Sequence, residues 1–95
     1  MAKLTAVEIK EALHGVPQWS KKGKTIVRNF EFKDFAGSMR FVNAVAKVAE
    51  KMEHHPDIEI HWNQVVLSLT THDQGGLTTS DFALAQKIDP LATRN

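Results

Sequence analysis

The sequence contains no cysteine, and that absence removes disulfide bonds, thiolate nucleophiles and most structural zinc sites together. It also lacks any apolar run near the ~20 residues that a membrane-crossing helix needs. Charge of one sign is missing as well: 12 basic side chains against 11 acidic ones leave a formal net charge of +1. A chain built to hold nucleic acid or an anionic membrane normally carries a basic excess or a basic block. The only locally basic stretch here is Lys21-Lys22-Gly23-Lys24, so neither partner is expected. Met1-Ala2-Lys3-Leu4 leads directly into charged positions at Glu8, Lys10 and Glu11, which leaves no signal-peptide core and makes a cytoplasmic location the default expectation.

What remains describes a folded chain. Hydrophobic residues make up 42% and charged residues 24%, a balance that supports a core inside a solvated surface and argues against disorder. A length of 95 residues suits one modest core and not two. Residues 1–95 are therefore expected to form a single domain.

Thr5-Ala6-Val7-Glu8 has capping-box spacing, with Leu4 and Ile9 at the positions of a hydrophobic staple. A helix is expected from Thr5 to about His14, stopped by Gly15 and Pro17. Lys21-Lys22-Gly23-Lys24 reads as a hairpin turn, and the alternation from Thr25 to Phe32 puts Ile26, Phe30 and Phe32 on one face. Asp34 is a helix cap. The stripe Phe35, Met39, Val42, Val45, Ala49 and Met52 predicts a helix of about 20 residues.

Pro56 should end that helix, because the residue before a proline, here His55, is pushed toward extended backbone. Asp57 to Trp62 alternates again, Asn63-Gln64 marks a tight turn, and Val65 to His72 gives a further strand with Val65, Leu67 and Leu69 inward. Thr78-Thr79-Ser80-Asp81 repeats the opening of the first helix. The last helix should run from about Thr79 toward Ile88, checked by Asp89-Pro90, with Leu91 to Asn95 as a tail. This order, α-β-β-α-β-β-α, implies an α+β fold, a four-stranded antiparallel sheet with three helices packed on one face.

The titratable groups concentrate between Glu50 and Asp81. His54 and His55 are adjacent at the end of the long helix, and His72 closes the following strand. Imidazole exchanges a proton near neutrality without help from a metal, so the three are candidate acid/base groups. Glu50 and His54 are four apart and share a helix face; as a plain surface pair they are worth roughly 0.2–0.5 kcal/mol. In the last turn, His54 would also meet the negative end of the helix dipole. Dipole and carboxylate together favour the imidazolium, which is a general acid.

The same residues have plainer readings. His55 alone reads as a capping or solvent-facing side chain, Asp81 as a helix cap, and Trp62 as either a pocket wall or a core residue. His14 and His61 carry no functional signal. A metal site needs three or four convergent ligands, and the chain has neither an HExxH nor an HxH pairing. No metal and no cofactor are expected. No serine sits in a nucleophile turn, and Asp73-Gln74-Gly75-Gly76 lacks the strand-to-helix context of a phosphate loop.

Taken together, the spacing becomes specific. Glu50, three residues, His54-His55-Pro56, five residues, Trp62, nine residues, His72, eight residues and Asp81 resembles the signature of the pterin-4a-carbinolamine dehydratases. The phrases Phe30-Glu31-Phe32-Lys33-Asp34-Phe35, Ala49-Glu50-Lys51, Leu69-Thr70-Thr71-His72-Asp73 and Gly75-Gly76-Leu77-Thr78 look like that family too. The resemblance extends from about Trp19 to Ile88.

Members of that family dehydrate 4a-hydroxytetrahydropterin, the carbinolamine left by an aromatic amino acid hydroxylase, to quinonoid dihydropterin and water, in tetrahydrobiopterin recycling. The resemblance implies that His54, His55 and His72 line a pterin pocket, with Glu50, Asp81 and Trp62 as further substrate-binding candidates. Within such a pocket the expected assignment is that His54, supported by Glu50, and His72 share the acid and base roles, while His55 chiefly binds and orients the pterin. The resemblance also implies assembly into homodimers or homotetramers. A second class of role comes with it: some members are dimerisation cofactors of a homeodomain transcription factor, so a non-enzymatic protein-binding module is the alternative.

Overall fold

The computed structural model describes residues 2–93. Met1 and the last two residues of the tail, including Asn95, lie outside the described residues. The first helix, α1, spans Ala6–Leu13 and opens on the capping box that its sequence specifies. The Glu8 amide donates to Thr5 Oγ1 at 3.2 Å, and Glu8 Oε1 accepts from the Thr5 amide at 2.8 Å. Strands β1 (Ser20–Lys22) and β2 (Thr25–Glu31) follow, joined by a two-residue turn at Gly23-Lys24. Gly23 takes the left-handed φ of 58° that such a hairpin turn requires at its first position.

Helix α2 covers Phe35–Met52, with Asp34 capping the Gly37 amide at 2.9 Å. It ends four residues before Pro56, earlier than the proline alone predicts. Glu53 swings into the left-handed region at φ 52°. Its amide donates to the Glu50 carbonyl at 3.2 Å, and the His54 amide donates to the Ala49 carbonyl at 3.1 Å. These two bonds form a Schellman motif, which satisfies the last carbonyls of a helix while turning the chain off its axis. His54 and His55 therefore leave from a turn beyond the helix.

Strands β3 (Asp57–His61) and β4 (Gln64–Leu69) form the second hairpin. Its turn is Trp62-Asn63, one residue earlier than the sequence suggests. The sheet order is β1-β2-β4-β3, antiparallel throughout. Ile26 pairs with Leu69, Arg28 with Leu67 and Phe30 with Val65, so these positions share one face. There Ile26, Phe30, Val65, Leu67 and Leu69 are buried with Phe41 and Val45 of α2. Phe30 and Phe41 pack with ring centroids 4.6 Å apart and planes tilted by 41°.

Beyond β4 the chain makes a short 3₁₀ turn, His72–Gln74, before α3 spans Thr79–Thr93. His72 thus opens this turn instead of closing the strand, because β4 stops at Leu69. Pro90 sits inside α3, where the sequence suggests an end. It forfeits one backbone donor, but the neighbouring Asp89 is anchored by two donors. Asp89 Oδ1 accepts from Trp19 Nε1 at 2.7 Å and from Arg28 at 2.8 Å. Leu91 and Ala92 also pack against the core, which holds the extra turn in place. The three helices cover one face of the sheet, the expected α+β arrangement. Among the described residues, no helix is long and apolar enough to cross a membrane.

Candidate active site

The site lies at the end of the sheet where β4 finishes and α2 turns away. A cleft of about 300 Å³ is lined by Glu53, His54, His55, Thr70, Thr71, His72 and Asp73. All three histidines singled out in the sequence line it. They arrive from two segments, the Schellman turn after α2 and the 3₁₀ turn after β4, which lie 17 positions apart in sequence and adjacent in space.

Behind His54 stands Asp81, fully buried in the first turn of α3. Its Oδ1 accepts from His54 Nε2 at 2.6 Å. Its Oδ2 accepts from the Thr78 amide and from Thr71 Oγ1, each at 2.9 Å. The Thr71 and Thr78 hydroxyls lie 2.8 Å apart. One carboxylate thus caps α3, ties α3 to the loop after β4 and orients the imidazole. A carboxylate only accepts, so Nε2 of His54 carries a proton, and in the neutral ring the lone pair is on Nδ1. The His54 side chain is only 13% exposed, which fixes its orientation by packing as well as by bonding.

Glu50 pairs with His55 and not with His54. Its Oε2 accepts from His55 Nε2 at 2.5 Å, between side chains that are both mostly exposed. The helical i,i+4 relationship expected for Glu50 and His54 fails because His54 lies past the left-handed Glu53. The turn brings the next residue back over Glu50. His72 is exposed, and among the described residues its ring has no protein hydrogen bond or ion pair. The site therefore offers a held imidazole, a surface-paired one and an uncommitted one around one cleft.

Trp62 is apart from this group. It sits in the β3–β4 turn, at the far end of β3 from Asp57, and is 62% exposed. Within one chain it is neither a wall of this cleft nor core. The residues that the sequence did not single out for the site are Thr71 and Thr78, the buried hydroxyls that complete the Asp81 network. The sequence marks Thr78 as a helix cap and places both threonines in the family-like phrases around Gly75-Gly76, but it does not join them to Asp81 as one network. No three histidine or carboxylate side chains among the described residues converge as a ligand set for a metal ion.

A four-stranded antiparallel sheet under one helical layer, with a histidine-lined cleft at its end, defines a class of small α+β domain that gathers titratable side chains at one end of its sheet. The family is more specific. Residues 2–91 match the model of the family described as pterin 4 alpha carbinolamine dehydratase, and the chain belongs to that family. Among curated relatives, a protein from Sulfurisphaera tokodaii is 48% identical over 98% of this chain and 100% of its own length. One from Acidobacterium capsulatum is 50% identical over 96% and 99%. Both carry the name pterin-4-alpha-carbinolamine dehydratase as a provisional assignment.

Solved structures agree on the fold. A Brucella melitensis protein described as a transcriptional coactivator/pterin dehydratase superposes with a TM-score of 0.91 at 37% identity, covering 95% of this chain and 98% of that one. A pterin dehydratase-like protein described as a RuBisCO assembly factor in the alpha-carboxysome gives 0.68 at 27% identity, covering 79% and 89%.

Proposed function

We propose that this protein dehydrates a 4a-hydroxytetrahydropterin to the quinonoid dihydropterin and water, in the recycling of tetrahydrobiopterin in the cytoplasm. The observation that carries the reading is the His54–Asp81 pair, a buried carboxylate holding an imidazole at a cleft that two further histidines line. The reaction breaks the C4a–O bond and makes a C4a=N5 double bond. One group protonates the departing hydroxyl, which leaves as water, and another takes the N5 proton. Positioned acids and bases contribute about 10² to 10⁴-fold to such steps. His54, oriented by Asp81, and His72 share these two roles; His55, carried by Glu50, binds and orients the pterin. No nucleophile or redox step is needed.

The proposed working form is a homodimer or homotetramer. Strand β3 is an edge of the sheet, with unpaired backbone groups along one side. Ile58 pairs with Leu67 and Ile60 with Val65, so both face the helical layer. They are nevertheless 37% and 36% exposed, because the helices do not reach over the edge strand. A second copy laid against this edge would cover them and Trp62. The same uncovered strand supports the second reading, a non-enzymatic protein-binding module, and the assembly-factor description of one structural relative is consistent with it. Turnover of freshly generated 4a-hydroxytetrahydropterin, measured with and without a chelator, separates the two. The dehydratase reading predicts turnover that the chelator leaves intact, and the module reading predicts none above the uncatalysed rate.

A further inference from the structure

The basic stretch in the sequence has no role in the site described so far, yet the fold carries it to the same end of the sheet. Thr70, which lines the histidine cleft, donates its Oγ1 hydrogen to the Lys24 carbonyl at 2.6 Å. The β1–β2 turn is therefore bonded directly to the wall of that cleft. Adjoining it is a second cleft of about 230 Å³, whose floor includes the apolar Leu4, Ile9 and Leu77 and whose rim carries Lys3, Lys21 and Lys24. One loop separates the two clefts: Thr70 to Asp73 line the first, and Gly75 to Leu77 line the second.

The charged residues of the two linings differ. The histidine cleft has Glu53 and Asp73 in its lining, whereas the second cleft has three lysines and no acidic residue. None of the three lysines makes a hydrogen bond or ion pair through its side chain among the described residues. Lys3 is also placed by the fold. The Leu4 amide donates to the Leu77 carbonyl at 2.8 Å, laying the N-terminal segment along the loop. A Cβ on Gly76 would come within 2.7 Å of Lys3 Cδ, so the absence of a side chain there lets the lysine stem lie across the loop.

We propose that this lysine cleft is a subsite for an anionic group, a phosphate or carboxylate, on the C6 side chain of the pterin whose ring occupies the histidine cleft. The inference rests on the dehydratase reading and names its substrate class. Ring carbon C6 is bonded to N5, the atom that loses its proton, so its substituent leaves the ring beside the reacting edge. Unpaired ammonium groups attract such an anion, and acidic residues around the histidines repel it, which gives the side chain one direction in which to extend. The attraction between exposed charges weakens as salt screens it.

The test compares kcat/KM for two carbinolamines, one with a methyl group at C6 and one with a phosphorylated hydroxymethyl group there. The wild type should favour the phosphorylated compound by about tenfold or more at low ionic strength, with the preference shrinking as salt is added. K21E/K24E should lose or invert that preference, K21R/K24R should keep it, and K3E alone should lower it. Inorganic phosphate should compete only against the phosphorylated compound. If the wild type and K21E/K24E turn over both compounds with the same ratio, the subsite is overturned while the dehydratase reading stands. If the wild type turns over neither, the dehydratase reading falls and takes the subsite with it.

Discussion

Asp81, fully buried at the start of α3, holds His54 Nε2 at 2.6 Å with one oxygen and closes the helix cap with the other. Fold and site therefore meet in a single carboxylate. Replacing it by asparagine puts an amide where two acceptor oxygens are needed. The Thr78 amide, the Thr71 hydroxyl and His54 Nε2 then compete for one oxygen. A buried donor left unpaired costs about 1–3 kcal/mol, and each kcal/mol lowers the melting temperature of a domain this size by about 4–8 °C. Asp81→Asn should melt lower by thermal circular dichroism and, at a temperature where it is fully folded, lose turnover through kcat with little change in KM. A variant that melts lower but keeps its kcat would reduce Asp81 to a cap.

Glu50 gives the contrasting case. Its bond to His55 joins two side chains that are 76% and 61% exposed, and exposed pairs contribute about 0–1 kcal/mol. Glu50→Gln should leave the urea midpoint nearly unchanged while raising KM, since its proposed part is to carry the histidine that binds the pterin. A fall in kcat as large as that of Asp81→Asn would contradict this division of labour.

Glu53 ends α2 with φ 52°, a conformation that glycine adopts without the Cβ penalty. Glu53→Gly should stabilise the protein by about 0.5–1 kcal/mol, the relief of left-handed strain exceeding the added freedom of the unfolded chain. Thermal melting would show the gain as a higher midpoint; a lower midpoint would mean that the Glu53 side chain supports the turn by contacts of its own.

Among the described residues Trp62 is the other non-glycine residue in the left-handed region, also at φ 52°, held by Ser38 Oγ, which donates to its carbonyl at 2.6 Å. A large aromatic in a turn position that favours glycine suggests a use for its exposed ring. Trp62→Gly should relieve the backbone and yet shift the protein toward smaller species on dilution in light scattering, because the proposed contact between copies loses its largest side chain. An unchanged mass across dilution would place that contact elsewhere.

The element order, the sheet and the helix caps were legible in the sequence because each rests on local chemistry: the capping boxes at Thr5 and Thr78, the alternation in β2 and β4, the stripe in α2. The histidines were legible as a set because their spacing is a family signature. Their partners were not. Reading Glu50 against His54 assumes that the helix continues, and a left-handed non-glycine residue such as Glu53 gives no sequence warning. The Asp81–His54 bond spans 27 positions and depends on how α3 docks on α2, which no local pattern encodes. Pro90 and the Trp62 turn failed for a related reason, in that tertiary contacts at Asp89 and Ser38 override a local preference.

The most direct test of the account is the dehydration rate of freshly generated 4a-hydroxytetrahydropterin with wild type, His54→Ala and His72→Ala side by side. Each substitution should cost about 10²-fold or more in turnover, with a circular dichroism spectrum that stays native. Full activity in both single variants would contradict the assignment of the acid and base.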